Sequence, residues 1–275
     1  MIGLLLLSAL LACGAQASTL KTGFGAILAS NEGFKLQLRD GKLVSLQSSD
    51  GAPLADGYEY SFSLGDEAPG AGEPTARSQE AVREPDGVRV RLSLRSGPLI
   101  VDHEFFLPDA QPVLLETLSV RNDGRRPVAS IDFGFRRRLG SLSSVPRLAA
   151  IPWGRSLMNP RPGYPSYRVE DLVRGLELEP RGVRSWGSEA WAFDGEPAFM
   201  VSKLSPNGVE YSVLRIQREK GELRLRFGGA ANWVRMPEAT GPLAPGASAR
   251  LAPTRYEFAK GGWKGAFYAY RSRME

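Results

Sequence analysis

The chain has 275 residues, a formal net charge of +5, one histidine and one cysteine. A single cysteine excludes a disulfide framework and a thiolate metal site. The positive charge is modest for this length. Its densest run, Arg136-Arg137-Arg138, has no interleaved aromatic residues, so we interpret it as a solvated strand end and predict no nucleic-acid partner. A chain of this size is long enough for one all-β domain of roughly 200–250 residues.

The first 17 residues have the pattern of an export signal. The apolar run at positions 4–12 is too short to span a bilayer, and Ala15-Gln16-Ala17 gives the small-x-small pattern that precedes a cleavage site. Cys13 follows a segment that resembles a lipoprotein processing box, so lipidation of Cys13 is the alternative. Either route predicts an exported protein, periplasmic or extracellular, that meets a membrane only through this lipid anchor.

Short segments that alternate apolar and polar residues follow the signal. The first two, at 34–38 and 43–47, are separated by Asp40-Gly41, which predicts a tight hairpin because both central residues of such a turn need φ > 0. Further alternating segments lie at 58–64, 88–94, 99–107, 113–121, 128–135, 189–193, 198–204, 209–216, 223–227 and 248–258. This succession predicts one large antiparallel β-sandwich over residues 18–260.

Two stretches interrupt the strand pattern. Residues 65–74 are rich in glycine, proline, alanine and acids, which predicts a mobile surface loop. Residues 136–168 combine prolines with Trp153, Tyr164 and Tyr167. A long loop inside a compact domain usually has a function, and its prolines and aromatic residues favour an ordered one.

Most catalytic chemistry finds no support in the sequence. His103 lies in the middle of a predicted strand, where we interpret it as a packed or surface residue, and no Gly-x-Ser-x-Gly motif accompanies it. No spacing of metal ligands occurs, and the glycine-rich segment 226–230 precedes no helix, so we predict neither a metal nor a cofactor. Spaced acids are present, but nothing selects a catalytic pair among Asp102, Glu104, Glu189, Asp194 and Glu196.

The long loop is better suited to binding a sugar. Sugars present apolar C–H faces that stack on flat aromatic rings, while their hydroxyl groups bond to polar and charged side chains. Trp186 and Trp191 can equally anchor loops to the sandwich, so we leave them out. The predicted carbohydrate site consists of Trp153, Arg155, Asn159, Arg161, Tyr164 and Tyr167.

The C-terminal segment 261–275 has a helical period. Its apolar residues follow the spacing i, i+3, i+4, i+7 and i+11, which places one aromatic face on a helix: Trp263, Ala266, Phe267, Tyr270 and Met274. Such a face needs a partner surface. We favour a connector to a further domain that this chain does not contain; the alternative is a helix that packs on its own sandwich.

Several features in chain order indicate a family resemblance. They are the hairpin at 34–47, the Asn122-Asp123-Gly124 turn, the aromatic loop, the segment 242–246 before the final strand, and the helix that begins at Gly262-Trp263. This order resembles the N-terminal β-supersandwich, of galactose-mutarotase-like fold, in retaining α-glycosidases of the α-galactosidase (melibiase) group. In that family the sandwich precedes a catalytic α/β barrel.

The resemblance implies how the chain would work. The catalytic carboxylates would lie on a barrel beyond Glu275, and the loop at 136–168 would approach the sugar. The chain itself would be a non-catalytic part of a glycoside hydrolase. Two alternatives remain open: an autonomous surface glycan-binding module, and a mutarotase or polysaccharide lyase that depends on His103, Tyr164 or Tyr167.

Overall fold

The computed structural model describes residues 17–65, 70–71, 74–140, 148–151, 166–167, 182–204, 209–219, 221–234 and 240–274. Within these ranges the protein consists of strands in three antiparallel sheets and one C-terminal helix. This is the all-β sandwich with a C-terminal helix that the alternating sequence pattern predicts. No helix in the described ranges is long and apolar enough to cross a membrane.

The first sheet is a meander of five strands in chain order. They are β1 (Thr19–Gly23), β2 (Ala26–Ser30), β3 (Phe34–Arg39), β4 (Lys42–Ser48) and β5 (Pro53–Ala55). The turn between β3 and β4 is the predicted one, with φ of 50° at Asp40 and 72° at Gly41. Both values lie in the left-handed region that this type of turn requires. A Cβ atom at Gly41 would also lie 2.2 Å from Cβ of Ala76, so the turn position admits glycine alone without rearrangement.

The second and largest sheet provides one wall of the core. Its strands are β8 (Thr75–Glu84), β9 (Gly87–Ser96), β10 (Leu99–Pro108), β11 (Val113–Asn122), β13 (Leu148–Ile151), β14 (Ser166–Tyr167), β16 (Ala190–Phe193), β17 (Ala198–Lys203), β20 (Ser248–Arg250) and β21 (Thr254–Ala259). Their order is β14-β13-β16-β17-β21-β11-β10-β9-β8, and β20 pairs with β11 beside β21.

The third sheet forms the opposite wall. It contains β6 (Gly57–Leu64), β7 (Gly70–Ala71), β12 (Val128–Leu139), β15 (Gly182–Ser188), β18 (Glu210–Glu219) and β19 (Glu222–Asn232), in the order β15-β18-β19-β12-β6-β7. Phe135 of β12 packs edge-on against Tyr256 of β21 at 5.1 Å between ring centroids. It also contacts Phe105 of β10 at 5.8 Å. The inner faces of the two larger sheets therefore meet in one aromatic core, where loss of a buried ring typically costs about 3–5 kcal/mol.

The strand assignments differ from the predicted ones in three places. Residues 248–258 were predicted as one strand, but Pro253 lies between β20 and β21 and has no N–H group to continue the ladder. The predicted loop at 136–168 contains the end of β12 and two short strands, β13 and β14. Strand β7 lies inside the predicted loop at 65–74.

Arg136 also departs from its interpretation as part of a solvated strand end. Its side chain is 23% exposed and forms ion pairs with Asp56 and Glu59, both at 3.3 Å. Arg138 further along the strand is exposed, as expected. The arginine run is thus only partly solvated, because its first member is held against the sheet by two carboxylates.

The helix α1 (Gly262–Met274) packs on the outer face of the ten-stranded sheet. Small residues on β13, β16 and β17 cover this face and allow the helix to approach: Ala149, Ala190, Ala192 and Ala198, with Met200 beside them. Ala266 and Tyr270 are buried against this surface, and Trp263 and Phe267 pack at its edge. The aromatic face therefore contacts the sandwich of the same domain. A connector role for the helix stays a prediction.

Candidate functional site

Most of the predicted sugar-binding residues lie outside the described residues. This applies to Trp153, Arg155, Asn159, Arg161 and Tyr164, and also to the predicted lipidation site at Cys13. For Tyr167 only the backbone is described, as the last residue of β14, where it pairs with Leu148. The carbohydrate site on the loop therefore stays a prediction.

The only histidine of the chain belongs to a buried polar cluster on the inner face of the ten-stranded sheet. Glu116 of β11 lies at its centre and is 1% exposed. Its Oε1 atom accepts hydrogen bonds from the Tyr58 hydroxyl and from Nε2 of His103, the latter at 2.7 Å. Its Oε2 atom accepts one from the Tyr256 hydroxyl at 2.5 Å. On the other side of the imidazole, the Tyr60 hydroxyl lies 2.6 Å from Nδ1.

These contacts form a closed set of donors and acceptors. A neutral imidazole satisfies both of its contacts if Nε2–H donates to Glu116 and Nδ1 accepts from Tyr60. Burial raises the pKa of the Tyr58, Tyr60 and Tyr256 hydroxyls well above the ordinary value, and the neighbouring negative charge of Glu116 raises it further. All three therefore keep the protons with which they donate.

The cluster contains residue types that are common in catalytic sites, but its side chains are closed to solvent. His103 is 1% exposed, Tyr60 3% and Tyr256 0%, so no solute reaches the imidazole or the carboxylate in this structure. A mutarotase or lyase that acts through His103 would need it open to a sugar. We conclude that the cluster orders the core, a role that a fully satisfied buried network can perform.

Sequence analysis missed Glu116, although a signal for it exists. The residues at 114, 118 and 120 are apolar and point into the core, and Glu116 occupies the same alternating register between them. An acid at an inward position of a strand needs buried donors. Those donors come from β6, β10 and β21, which are distant in sequence, so their identity was not predictable.

Two of the other acids considered in the sequence analysis, Glu189 and Glu196, contact the C-terminal segment. Glu189 is buried and accepts a hydrogen bond from the Tyr270 hydroxyl at 2.7 Å. Glu196 accepts the backbone N–H of Gly261 at 3.1 Å. Both acids are thus engaged with the C-terminal helix or the turn before it. Among the described residues, no group of three His, Cys, Asp or Glu side chains is placed to hold a metal ion.

The outer face of β8–β11 and β20 is open to solvent and forms a groove of about 340 Å³. Its floor is a single row of cross-strand partners with mostly short side chains. In order from β8 to β20 they are Ser78, Ser93, Asp102, Ser119 and Arg250. The row crosses four gaps between neighbouring strands, which corresponds to roughly 19 Å.

Longer and mostly charged side chains lie in the rows on both sides of this groove; those on the Arg91 side line it, and those on the Arg95 side flank it. In the row on one side, Arg91 pairs with Glu104 at 3.1 Å between Nε and Oε2. In the row on the other side, Arg95 and Arg121 both form ion pairs with Asp123. The charges of the walls are thus largely neutralised by one another.

The floor of the groove keeps its hydrogen-bonding capacity free. Asp102 and Arg250 are exposed, and within the part of the chain that the structure describes their side chains form no hydrogen bond or ion pair. The hydroxyl groups of Ser93 and Ser119 have no partner there either. The groove therefore offers a ligand several unused donors and acceptors on a rigid sheet. Sequence analysis had noted Asp102 and Glu104 only as spaced acids.

Comparison with solved structures finds this fold within larger enzymes. The chain matches the galactosidase domain of the α-galactosidase–sucrose kinase AgaSK with a TM-score of 0.53 and 10% identity, over 89% of this chain and 42% of that chain. It matches the GH36 α-galactosidase AgaB from Geobacillus stearothermophilus with a TM-score of 0.52 and 10% identity, over 91% of this chain and 42% of that chain. No protein-family model and no curated protein matches the chain.

These matches define the fold of the protein. The resemblance predicted from the sequence, to the β-supersandwich of retaining α-glycosidases, is confirmed at the level of fold. The chain spans 42% of the length of each of these two structures. At 10% identity the likeness carries no residue roles to this chain.

Proposed function

We propose that this chain is the non-catalytic, carbohydrate-associated domain of an exported α-glycosidase-like glycoside hydrolase. The observation that carries the proposal is the fold, which matches about nine-tenths of the chain to less than half of an α-galactosidase. The buried state of His103 and Glu116 is consistent with a domain that supplies no catalytic residue.

The proposal has two further parts. A catalytic α/β barrel beyond Glu275 would carry the acid and the nucleophile. The aromatic loop would approach the sugar in the barrel through Trp153, Arg155, Asn159 and Tyr164. Both parts follow from the predicted family resemblance, and the 42% share of the matched α-galactosidase leaves room for a domain of this kind.

The test compares the 275-residue chain with the complete product of its gene. We expect the complete product to hydrolyse an aryl α-galactoside and the 275-residue chain to be inactive. In the complete product, the double substitution Trp153→Ala, Tyr164→Ala should raise KM at least tenfold. Tyr268→Ala is the matched control, because this helix residue is 64% exposed and should leave KM unchanged.

Two results would contradict the proposal. One is a stop codon directly after Glu275. The other is a complete product in which the loop double variant and the Tyr268→Ala control have the same KM as the wild type.

A second function is favoured by one observation. The aromatic face of α1 packs on the sandwich itself, with Ala266 and Tyr270 buried and Trp263 and Phe267 partly buried. This supports the alternative of an autonomous surface glycan-binding module. In that case the 275-residue chain alone should bind glycans on an array, and the loop double variant should lose the signal.

A further inference from the structure

We propose that the groove over β8–β11 and β20 is a binding site for a neutral oligosaccharide. It uses none of the loop residues of the proposed function. The choice of a carbohydrate over another polar ligand rests on that proposed function; the site itself rests on the geometry and charge of the groove.

The shape of the groove follows from the side chains of its rows. The floor carries serines at three of its five positions, whereas the adjacent rows carry mainly arginines and glutamates, with Thr117 on one side and the buried Ile100 on the other. On an antiparallel sheet, a row of short side chains between rows of long ones leaves a trough that runs across the strands. The trough is open at the surface and long enough for a short, linear oligosaccharide.

The polar groups of the floor match the hydroxyl groups of a sugar. The Asp102 carboxylate accepts two or more hydrogen bonds, the Ser93 and Ser119 hydroxyls both donate and accept, and the Arg250 guanidinium donates. None of these four side chains is engaged elsewhere in the described part of the chain. Binding a polyol therefore breaks no existing contact, while bonds to ionised groups are about twice as strong as neutral ones.

The charges of the groove nearly cancel, which favours a neutral ligand over an acidic one. The Asp102 charge in the middle of the floor is offset by Arg250 at its end, and the nearest arginines beside the floor are paired with Glu104 and Asp123, so the floor holds no net positive charge to attract an acidic sugar. A bound metal ion is disfavoured as well, since no metal-ligating cluster surrounds Asp102 in the described residues. A neutral glycan that runs along the serine row satisfies both constraints.

The experiment is calorimetric titration of the 275-residue chain with neutral hexasaccharides of glucose, mannose, xylose and galactose, and with a hexagalacturonate as the acidic counterpart. We expect at least one neutral hexasaccharide to bind more tightly than its own disaccharide, and the hexagalacturonate to bind at least tenfold more weakly. Ser119→Tyr places a ring across the floor and should weaken binding at least tenfold. Asp102→Asn should weaken it severalfold.

Thr22→Tyr is the control for the added ring, because Thr22 is an exposed strand residue of the five-stranded sheet. Asp86→Asn is the control for the lost charge, because Asp86 is exposed in the turn between β8 and β9. Both should bind like the wild type. Thermal unfolding of each variant shows whether it is folded. If Ser119→Tyr does not fold, the binding of Asp102→Asn decides whether the groove is the site.

Two results overturn the inference. One is the absence of binding by every hexasaccharide at millimolar concentration. The other is unchanged binding in the folded Ser119→Tyr or Asp102→Asn variants. Binding that Trp153→Ala, Tyr164→Ala abolishes but the groove variants retain would place the sugar on the loop, which rejects the groove and leaves the proposed function standing. A complete gene product without glycosidase activity would reject the proposed function while the groove titrations remain valid.

Discussion

Asp102 and His103 are consecutive residues of one strand, yet they lie in opposite environments. Asp102 faces solvent in the groove and bonds to nothing described, whereas His103 is 1% exposed and is bonded on both nitrogens. The buried side chain looks more like catalytic machinery by residue type, but the exposed one can meet a ligand. The comparison shows that the face of the sheet, and not the residue type, separates a structural role from a binding role.

The largest effect should come from removing the acceptor at the centre of the buried cluster. Glu116→Leu replaces the carboxylate with an apolar side chain of similar size and leaves the Tyr58 and Tyr256 hydroxyls and the His103 N–H buried without an acceptor. We expect a loss of about 3–5 kcal/mol in the free energy of unfolding, measured by urea denaturation. Glu104→Leu on the outer face is the matched control. Equal losses of unfolding free energy in the two variants would contradict the proposed difference between the inner and outer faces of the sheet.

A substitution under the helix tests whether part of the outer face behaves as a core. Ala192 of β16 lies on that face but is fully buried beneath α1. Ala192→Asp should cost roughly 2–4 kcal/mol, because it buries a charge without a partner. Hydrogen exchange at 262–274 should rise in the same variant. Unchanged stability and exchange would mean that the helix is not docked on the sandwich in solution.

The tyrosines of the cluster predict the behaviour at alkaline pH. The folded pKa of Tyr256 is raised well above the ordinary value of about 10, chiefly by burial, so the folded protein keeps a proton that the unfolded chain releases. The stabilisation is complete below pH 10 and is lost as the pH rises above it. Each such tyrosine contributes a slope of about 1.4 kcal/mol per pH unit.

Tyr256→Phe removes one of these titrating groups. Its free energy of unfolding should be lower than that of the wild type at pH 7, but should fall less steeply between pH 10 and 11. Urea denaturation over this range measures both slopes. Tyr268→Phe, at an exposed position of the helix, is the control for the loss of a hydroxyl group and should keep the wild-type free energy of unfolding at pH 7. A slope in Tyr256→Phe that equals the wild-type slope would mean that the hydroxyl is not buried in solution.

The sequence predicted those parts of the fold that a local turn requirement or a hydrophobic alternation determines. The Asp40-Gly41 hairpin was predicted because a local requirement for positive φ fixes it. Strand β8 was missed because every one of its residues is at least partly exposed, so no apolar alternation marks it. An edge strand with polar residues on both faces has no period-2 hydrophobic signal.

Both the buried cluster and the groove depend on strand pairing between residues that are distant in sequence. The Glu116–Tyr256 contact joins residues 140 positions apart through the adjacency of β11 and β21. The groove floor likewise depends on the register of five strands, of which β8 and β20 are far apart in sequence. Alternation predicts which face a residue takes, but only pairing brings Ser78 and Arg250 into one row. Sequence analysis therefore found the strands of the buried cluster and, except for β8, those of the groove, but neither of the sites.

The smallest effect should be on the stability of the groove variants. These variants test most directly whether the outer face of β10 contributes to the stability of the fold. Asp102→Asn removes a solvent-exposed carboxylate with no bonding partner among the described residues, so the free energy of unfolding should change by less than about 0.5 kcal/mol. Urea denaturation at pH 7 measures this change. Glu104→Gln is a companion that loses partly exposed ion pairs to Arg89 and Arg91, each typically worth about 1 kcal/mol or less at a surface. A loss above 2 kcal/mol in Asp102→Asn would show that Asp102 supports the fold. A stable Asp102→Asn variant with weakened glycan binding would instead show that β10 carries structure on one face and recognition on the other.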